Sequence, residues 1–276
     1  MTELEKVLAE VEHRRLLGGR LREQLMWRIE ALLPHGNLTD IRIRDAFSEV
    51  FQAFAPPGFE LVSDPDLCQI DSAGGGSIVI GGNLFAGGIE IGLIQRRLML
   101  ADGYAIHEVL ILKSEARGLG VSAVLLKRCF DLYDELGFST VVLEADMTGK
   151  WHWARLGFDF VLERDLENVR SWTIRALRAL KIENLRVDGY TSAAQFARMG
   201  GVRRIALADL ALRLPPERTR INRIAGENGF QPDDEVAIAR ALMICGPKWF
   251  GRLELRGPGR VAFEAYAEAK IQPGAG

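Results

Sequence analysis

An Asp-Gly pair, Asp102-Gly103, separates two apolar runs near the middle of the chain. The first run covers residues 90–100 and the second covers residues 104–112. Such a pair between apolar runs is a strong hairpin signal, because Asp and Gly tolerate the positive φ angles of the tight turns that match the twist of the strands. The sequence therefore predicts an antiparallel pair of strands at this point.

Apolar residues at three- and four-residue steps predict helices before and after this hairpin. Two helices are expected within residues 3–33 and another over 44–54. A helix over 119–136 is expected to end at Gly137, since glycine is the usual residue just past a helix C-terminus. Further predicted helices cover 151–156, 165–181, 191–199, 205–213 and 233–244.

Short apolar or β-branched runs predict the remaining strands. They cover 77–80, 140–143 and 158–162, and the runs 249–255 and 260–266 around Gly257-Pro258-Gly259 predict a closing hairpin. Together with the helices, these strands predict a mixed α/β fold with a central, mostly antiparallel sheet.

The composition limits the expected partners. The 276 residues are 48% hydrophobic with a formal net charge of −2, which gives no overall reason to expect nucleic acid or an anionic membrane as a partner. No run approaches the ~18 apolar residues that span a bilayer. Cys68, Cys129 and Cys245 are far apart and belong to no Cys/His cluster, so neither a disulfide framework nor a metal site is expected. We expect a chain that is not exported and works in a reducing cytoplasm.

The segment 115–122, Glu-Ala-Arg-Gly-Leu-Gly-Val-Ser, leads from the second strand of the hairpin into the next helix. Glycines at such a junction let the backbone approach a ligand, and the first amides of a helix have no partners within the helix. The helix dipole adds partial positive charge, so a phosphate or pyrophosphate is the expected guest. The alternative is a tight connection without a ligand. Neither a Walker-type loop nor a three-glycine dinucleotide loop is present.

The order of hairpin, loop, helix and the later Gly157-Phe158 pair, over residues 77–160, resembles that of the GNAT acyltransferases. Those enzymes carry a Q/R-x-x-G-x-G/A loop, which Arg117-x-x-Gly120-x-Ser122 matches except for serine in the last place. The resemblance implies that amides around residues 118–122 hold the pyrophosphate of coenzyme A and that the strand edge at 110–112 pairs with its pantetheine arm. The implied coenzyme A contacts are Leu110, Ile111, Leu112, Arg117, Gly118, Leu119, Gly120, Val121 and Ser122.

Residues 153–158, Trp-Ala-Arg-Leu-Gly-Phe, resemble the W-A-R-x-G-F ending of a GNAT subset found beside phage, polymorphic-toxin and peptide-maturation genes. Residues 249–253 resemble the strand that follows a helical insertion in that subset. Trp153 is a departure, because many GNAT enzymes have there a tyrosine that protonates the leaving thiolate, and an indole cannot do so. His152 is an alternative donor.

An amine must lose a proton when it attacks a thioester, so a carboxylate or imidazole within reach is useful. Glu108 is the first candidate, because it lies in the strand before the loop, where GNAT enzymes commonly place a base. Strand alternation puts Glu108 on the face of Leu110 and Leu112, with His107 on the other face. The further candidates are His107, His152 and Glu144. Each has a structural alternative, as a solvent-facing glutamate or a hydrogen-bonded histidine.

Residues 161–223 carry thirteen basic and seven acidic side chains, a local charge of +6. Most such faces are simply solvated. The other interpretation is a docking surface for an acidic peptide or a nucleic acid, although few aromatic residues interleave with the arginines, which argues against stacking on single strands.

These patterns divide the chain into three parts. Residues 1–58 form an N-terminal helical segment, 59–163 a GNAT-like acyl-CoA-binding core, and 164–276 a helical insertion with a closing hairpin. The resemblance implies transfer of an acetyl or longer acyl group from acyl-CoA to an amine, which we expect on a peptide or protein, for example a lysine side chain. No metal is implied. The rival interpretation is a GNAT-like protein without catalysis that binds nucleic acid or an acidic partner.

Overall fold

A computed structural model describes residues 51–71, 77–147, 149–227, 229–231 and 234–271. The helices predicted within residues 3–33, and most of the helix predicted over 44–54, lie outside these residues. The described residues form a mixed α/β fold with a mostly antiparallel sheet, as predicted, and this is consistent with a GNAT-like fold.

The described residues belong to two compact units. The first unit contains those up to Val142, Glu254–Arg256 and those from Glu264 onward. The second unit contains Leu143–Leu253 and Gly257–Phe263.

The first unit is built on the predicted hairpin. Its strands are β1 (Phe59–Ser63), β2 (Gln69–Asp71), β3 (Ser77–Ala86), β4 (Ile89–Met99), β5 (Tyr104–Leu112) and the start of β6 (Thr140–Ala145). Their order is β1-β3-β4-β5-β6, and β2 also pairs with β3. β4 and β5 pair antiparallel from Met99 opposite Tyr104 to Gly92 opposite Leu112. The Asp-Gly hairpin is therefore confirmed.

Helix α1 (Val121–Glu135) follows the loop after β5, close to its predicted range. Its apolar positions are buried, and it ends in a turn at Gly137, whose φ is 74°. The amide of Phe138 donates to the Tyr133 carbonyl at 2.8 Å, and the amide of Gly137 donates to the Asp134 carbonyl at 3.0 Å. This pair of bonds is a Schellman motif, which needs a left-handed residue after the helix and so favours glycine. The prediction for Gly137 is confirmed.

The second unit contains mostly helices. They are α2 (Gly149–Arg155), α3 (Glu163–Ala179), α4 (Ala193–Arg198), α5 (Leu207–Arg213), α6 (Arg218–Glu227) and α7 (Ile238–Cys245). The strands are the end of β6, β7 (Asp159–Phe160), β8 (Arg204–Ala206), β9 (Glu235–Ala237) and β10 (Trp249–Glu254). β6, β10 and β7 are neighbours in that order, and β8 pairs with β9 in a separate ribbon.

The prediction of a closing hairpin is wrong for its second strand. Only β10 is a strand, and residues 260–266 lie inside helix α8 (Pro258–Ile271). Proline suits the first position of a helix because its missing N–H would have no helical partner there. The alanines that follow have the highest helix propensity, and Phe263 and Ala267, four residues apart, are buried on one face. Local propensity therefore outweighs the hairpin signal of the Gly-Pro-Gly turn.

Two other predictions in the second unit need correction, and one helix was not predicted. The strand predicted over 158–162 is shorter, because the chain turns into α3 at Glu163. The helix predicted over 233–244 begins only at Ile238, since residues 235–237 pair with β8. Helix α6 was not predicted, because its apolar signal is weak: among its ten residues, Ile221, Ile224 and Ala225 are the buried ones.

Candidate functional site

Strand β5 carries a β-bulge at Glu108. His107 lies opposite Arg96 of β4, but Val109 lies opposite Gln95, so Glu108 is an extra residue that has no opposite partner in the ladder. A bulge of this kind bends the strand and redirects side chains, and bulges are enriched beside active sites. The bulge therefore sets the direction of the first candidate base.

The bulge corrects the predicted arrangement of side chains on β5. Residues directly opposite each other in an antiparallel pair share a face of the sheet. Leu110 lies opposite Ile94, and Ile94 shares the buried face of β4 with Arg96, the partner of His107. Leu110 is therefore on the face of His107, and simple alternation, which placed it with Glu108, fails because the extra residue shifts the alternation by one.

Glu108 points away from the buried face and forms an ion pair. Its Oε1 accepts a hydrogen bond from Arg97 Nε at 2.7 Å, and the two side chains are 24% and 28% exposed. Within the described residues no hydrogen bond reaches Glu108 Oε2. The carboxylate is thus held by a cation on one oxygen, and its other oxygen is reachable from solvent.

His107 lies inside the core of the first unit. Its Nε2 is 3.1 Å from the Tyr133 hydroxyl, and its ring stacks on Phe130 at 5.8 Å between centroids. Burial, together with the positive charge of Arg96, lowers the pKa of His107 well below its ordinary value of 6.5. The imidazole is therefore neutral and almost fully buried, which suits a hydrogen-bonded structural role better than that of a base for an external amine.

The groups around His107 are also held in their neutral forms. Burial raises the pKa of Cys129 to about 11 and raises the pKa of Tyr133 well above its usual value of 10, although Arg96 opposes both effects. Cys68, Cys129 and Cys245 are buried thiols. A buried thiol that is protonated is a poor nucleophile, so Cys129 packs against its neighbours rather than reacting.

Two left-handed glycines shape the loop between β5 and α1. Gly118 and Gly120 have φ angles of 82° and 79°, which other residues rarely adopt. A Cβ built on Gly118 meets nothing within 4 Å, whereas one on Gly120 lies 3.2 Å from the Lys270 carbonyl oxygen at the end of α8. Leu119, between the glycines, is 74% exposed. The backbone at Gly118 is therefore open, whereas the backbone at Gly120 packs against the end of α8.

Helix α1 begins at this loop without a side-chain cap. Gly120 is its N-cap residue, and the amides of Ala123 and Val124 bond back to the Gly120 carbonyl at 2.9 and 3.2 Å. No hydrogen bond from the amides of Val121 and Ser122 is present in the part of the chain that the structure describes. Uncapped amides at the positive end of a fifteen-residue helix form an arrangement that can bind an anion.

Arg117 is turned back toward the strand. Its Nε donates to the Leu112 carbonyl at 2.9 Å, at the end of β5, and its side chain is exposed. This bond closes the loop between strand and helix, so Arg117 shapes the site through its Nε. Ile111, one residue earlier, is 57% exposed on β5.

The other two candidate bases belong to the second unit. Glu144 is exposed and forms an ion pair with Lys248 at 3.0 Å. Lys248 also forms an ion pair with Asp146 at 2.9 Å. His152 lies on α2 with its ring 5.6 Å from that of Trp153. Of the predicted site residues, His107, Glu108 and the loop residues lie in the first unit, with His107 and Glu108 on opposite faces of the sheet, and Glu144 and His152 lie in the second unit.

Trp153 is a packing residue. It is buried, its ring meets the edge of Phe158 at 5.4 Å between centroids, and the backbone of Gly149 lies so close that a Cβ there would be 2.9 Å from the indole nitrogen. Trp151 is half-buried, and Arg155 and Arg240 lie over its ring at 4.6 and 5.3 Å. Both indoles therefore contribute to the packing of α2.

Several arginines of the 161–223 stretch have structural partners. Arg170, Arg175, Arg220 and Arg223 form ion pairs with Glu167, Glu217, Glu217 and Glu227, respectively. Arg203 bonds Asn184 at 3.1 Å, and Arg204 bonds the Glu235 carbonyl across the β8–β9 ribbon. Glu167 and Glu217 are already part of the +6 count, so these contacts do not lower it. They make several of the arginines less available to a docking partner, which favours the solvated-face interpretation for this part of the stretch.

The sequence interpretation missed Arg96 and Arg97. A signal was present, because two consecutive arginines inside an apolar run predicted as a strand place one cation on each face of the sheet. It also missed the end of α8, which reaches the loop from 150 residues later in the chain. Such neighbours leave no trace in local sequence spacing.

Comparisons with protein-family models, curated proteins and solved structures found no match for this chain. Within the described residues, His, Cys, Asp and Glu side chains form no group of three or more that could hold a metal ion. None of the helices described is long and apolar enough to cross a membrane.

Proposed function

We propose that this chain is an acyl-CoA-dependent N-acyltransferase of the GNAT type. The observation that carries the proposal is the junction of β5 and α1. There a bulged strand bearing a solvent-reachable carboxylate leads, through two left-handed glycines, into an uncapped helix N-terminus. The loop motif at 117–122 resembles that of GNAT enzymes at the same place in the order of elements.

The residues at this junction fit a coenzyme A thioester. The amides of Val121 and Ser122 would hold the pyrophosphate, since they have no partner in the described structure and the helix dipole favours anions there. The open surface beside Gly118 leaves room for phosphate oxygens. The pantetheine arm would lie along β5 beside the exposed Ile111.

Glu108 would act as the base. The amine nitrogen attacks the thioester carbonyl carbon, a C–N bond forms and the C–S bond breaks. The proton lost by the amine goes to Glu108 Oε2, directly or through a water, while Arg97 holds Oε1. The thiolate of coenzyme A leaves without a strong acid and takes its proton from solvent, because a thiol has a pKa near ~8.5.

The acceptor proposed is an amine on a peptide or protein. A GNAT-like core does not fix the acceptor, and the resemblance to the peptide-maturation subset is the basis of this choice. The rival, a binding protein without turnover, would bind nucleic acid or an acidic partner in a salt-dependent way and would release no coenzyme A from a thioester.

Leu119 provides the sharpest binding test. Leu119→Asp adds a carboxylate beside the uncapped amides without changing a glycine, and Leu119→Asn has nearly the same shape without the charge. We expect isothermal titration to show coenzyme A affinity lowered about 10-fold or more by the aspartate alone, with the loss shrinking at high salt. If the two variants bind coenzyme A with equal affinity, coenzyme A does not bind at this loop.

Gly120 is less suitable for that test. A side chain there would face both the left-handed backbone and the nearby Lys270 carbonyl, so Gly120→Asp would disturb the fold around the loop as well as any bound phosphate. A loss of binding in that variant would not separate the two causes.

Turnover tests the base. Glu108→Gln keeps the shape of the side chain but not its basicity, so acyl-CoA should still bind while amine acylation at neutral pH falls by ~10²–10⁴-fold. The loss should shrink at high pH, where more of the amine is already deprotonated. Single-turnover rates across pH 6–10 measure this. If Glu108→Gln keeps most of its rate at pH 7 while His107→Asn fails, His107 is the base.

A further inference from the structure

Arg96 is a fully buried cation on β4, directly behind the bulge. Its side chain has no exposed surface. Its Nη1 donates to the carbonyl of Gln95 at 2.8 Å and to the carbonyl of Val109, the residue that follows the bulged Glu108. One guanidinium nitrogen thus joins the two residues that face each other across the bulge.

The surroundings of Arg96 offer it no counter-charge. Within the described residues it forms no ion pair, and beyond the two carbonyls the polar groups within reach of its guanidinium are the thiol of Cys129 and the hydroxyl of Tyr133. The groups that face it are the neutral His107 and the protonated Cys129 and Tyr133, whose pKa values all respond to its charge. A buried charge that has no counter-charge is unfavourable, and arginine stays protonated at any ordinary pH. The fold therefore keeps a costly group at this position.

The position of Arg96 beside the bulge explains why an arginine is present. An extra residue leaves a strand locally irregular, so the direction of Glu108 depends on how firmly the flanking residues are held. Arg96 holds Val109 from the buried face, and its neighbour Arg97 holds the Glu108 carboxylate on the outer face. Two consecutive arginines therefore fix the backbone and the side chain of the bulge from opposite sides of the sheet.

We propose that Arg96 is a positioning residue for the acyl transfer, because its bond to the Val109 carbonyl fixes the bulge that presents the Glu108 carboxylate to the amine. This inference rests on the proposed function. Arg96 itself touches no substrate in this scheme and acts entirely through Glu108.

A double-mutant cycle tests the inference with the full chain, acetyl-CoA and a peptide amine. Arg96→Met, which keeps much of the volume but none of the donors, should lower kcat by ~10–100-fold, the scale expected when a catalytic group is displaced by about 1 Å. The KM for acetyl-CoA should stay near that of the wild type. Arg96→Met combined with Glu108→Gln should be no slower than Glu108→Gln alone, since both changes remove the same contribution.

The pH profile supplies a second measurement. If Arg96 acts through the base, the loss in Arg96→Met shrinks at high pH as it does in Glu108→Gln. A matched control is Lys150→Met, which removes the buried ammonium of the second unit; any effect it has on kcat should multiply with that of Glu108→Gln. Losses that multiply for Arg96→Met as well, or that are constant with pH, would overturn the inference and leave the proposed function standing.

Two further measurements keep the inference testable if Arg96→Met does not fold or if its kinetics are inconclusive. If Arg96→Met does not fold, Arg96→Lys keeps a donor that can reach the Val109 carbonyl and should show a smaller loss with the same non-additivity. In either folded variant, amide hydrogen exchange over residues 105–112 should be faster than in the wild type, and exchange over 77–86 should change less. Exchange over 105–112 at the wild-type rate would also overturn the inference. If the wild type acylates no amine, the proposed function fails, and the inference fails with it.

Discussion

The two units bury positive charge in different ways. Arg96 in the first unit has no exposed surface, and Lys150 in the second unit is 2% exposed. Arg96 bonds two strand carbonyls beside a bulge. Lys150 donates from Nζ to the Gly246 carbonyl at 2.7 Å, at the C-terminal end of α7, where the helix dipole is negative and Arg220 also donates at 3.3 Å.

The two buried groups differ in whether they can lose their positive charge by releasing a proton. A guanidinium stays charged, so the bonds it makes persist at any ordinary pH. An ammonium can lose its proton, and burial lowers the pKa of Lys150 to about 8, although Asp146 opposes this. Arginine therefore suits a permanent geometric task such as holding a bulge, whereas lysine makes the stability of its unit depend on pH.

Replacing the buried arginine of the first unit by lysine should change the pH dependence of stability more than any other substitution considered. In Arg96→Lys the new amine occupies a fully buried site, where lysine pKa values fall by several units. Between about pH 7 and 10 the unfolded chain then binds a proton that the folded chain does not, so raising the pH across this window should stabilise the variant, by ~4 kcal/mol for a fall of ~3 units.

Urea unfolding at several pH values measures this effect. The same series in a Lys150→Met background isolates the new amine, because the native alkaline group is then absent. A pH profile that does not change on Arg96→Lys would mean that site 96 tolerates a charged amine as readily as water does.

Removing the titratable cation should have the next largest effect. Because the folded pKa of Lys150 is about 8 and the ordinary value is 10.5, the unfolded chain holds the extra proton between these limits. The free energy of unfolding of the wild type should therefore rise relative to Lys150→Met by about 3 kcal/mol as the pH increases from 8 to 10.5. Denaturant titrations at both ends of that window test it. A constant difference between the two proteins would show that Lys150 keeps its proton throughout.

The smallest expected effect comes from Arg220. Its Nε pairs with Glu217 at 2.9 Å and its guanidinium lies 5.2 Å from the centre of the Trp172 ring, so Arg220→Met should destabilise the fold at pH 7 by at most about 1 kcal/mol. Its charge also lowers the pKa of Lys150, so the alkaline rise should begin at higher pH in this variant. The control is Arg178→Met, because Arg178 is exposed and forms no ion pair or hydrogen bond with the residues that the structure describes. A rise that begins at the wild-type pH would mean that the two cations do not interact.

Local sequence rules were sufficient where neighbouring residues decide the structure. The Asp-Gly turn, the helix after the loop and its end at Gly137 follow from turn chemistry, periodicity and the left-handed backbone of glycine. They failed where two signals competed, as in α8, where alanine-rich helix propensity prevailed over a Gly-Pro-Gly turn. They also failed for α6, whose charged residues conceal its short apolar stripe.

The glycine loop that opens a helix after the second strand of the hairpin follows from the amino-acid sequence alone, and so does the location of the proposed phosphate contacts. The face of β5 that carries each side chain follows only from the folded chain. The reason is that a β-bulge depends on the register with the neighbouring strand, and Val109 is held there by Arg96 from β4. Strand alternation counts residues along one chain segment, and it cannot detect an extra residue that exists only relative to a partner strand.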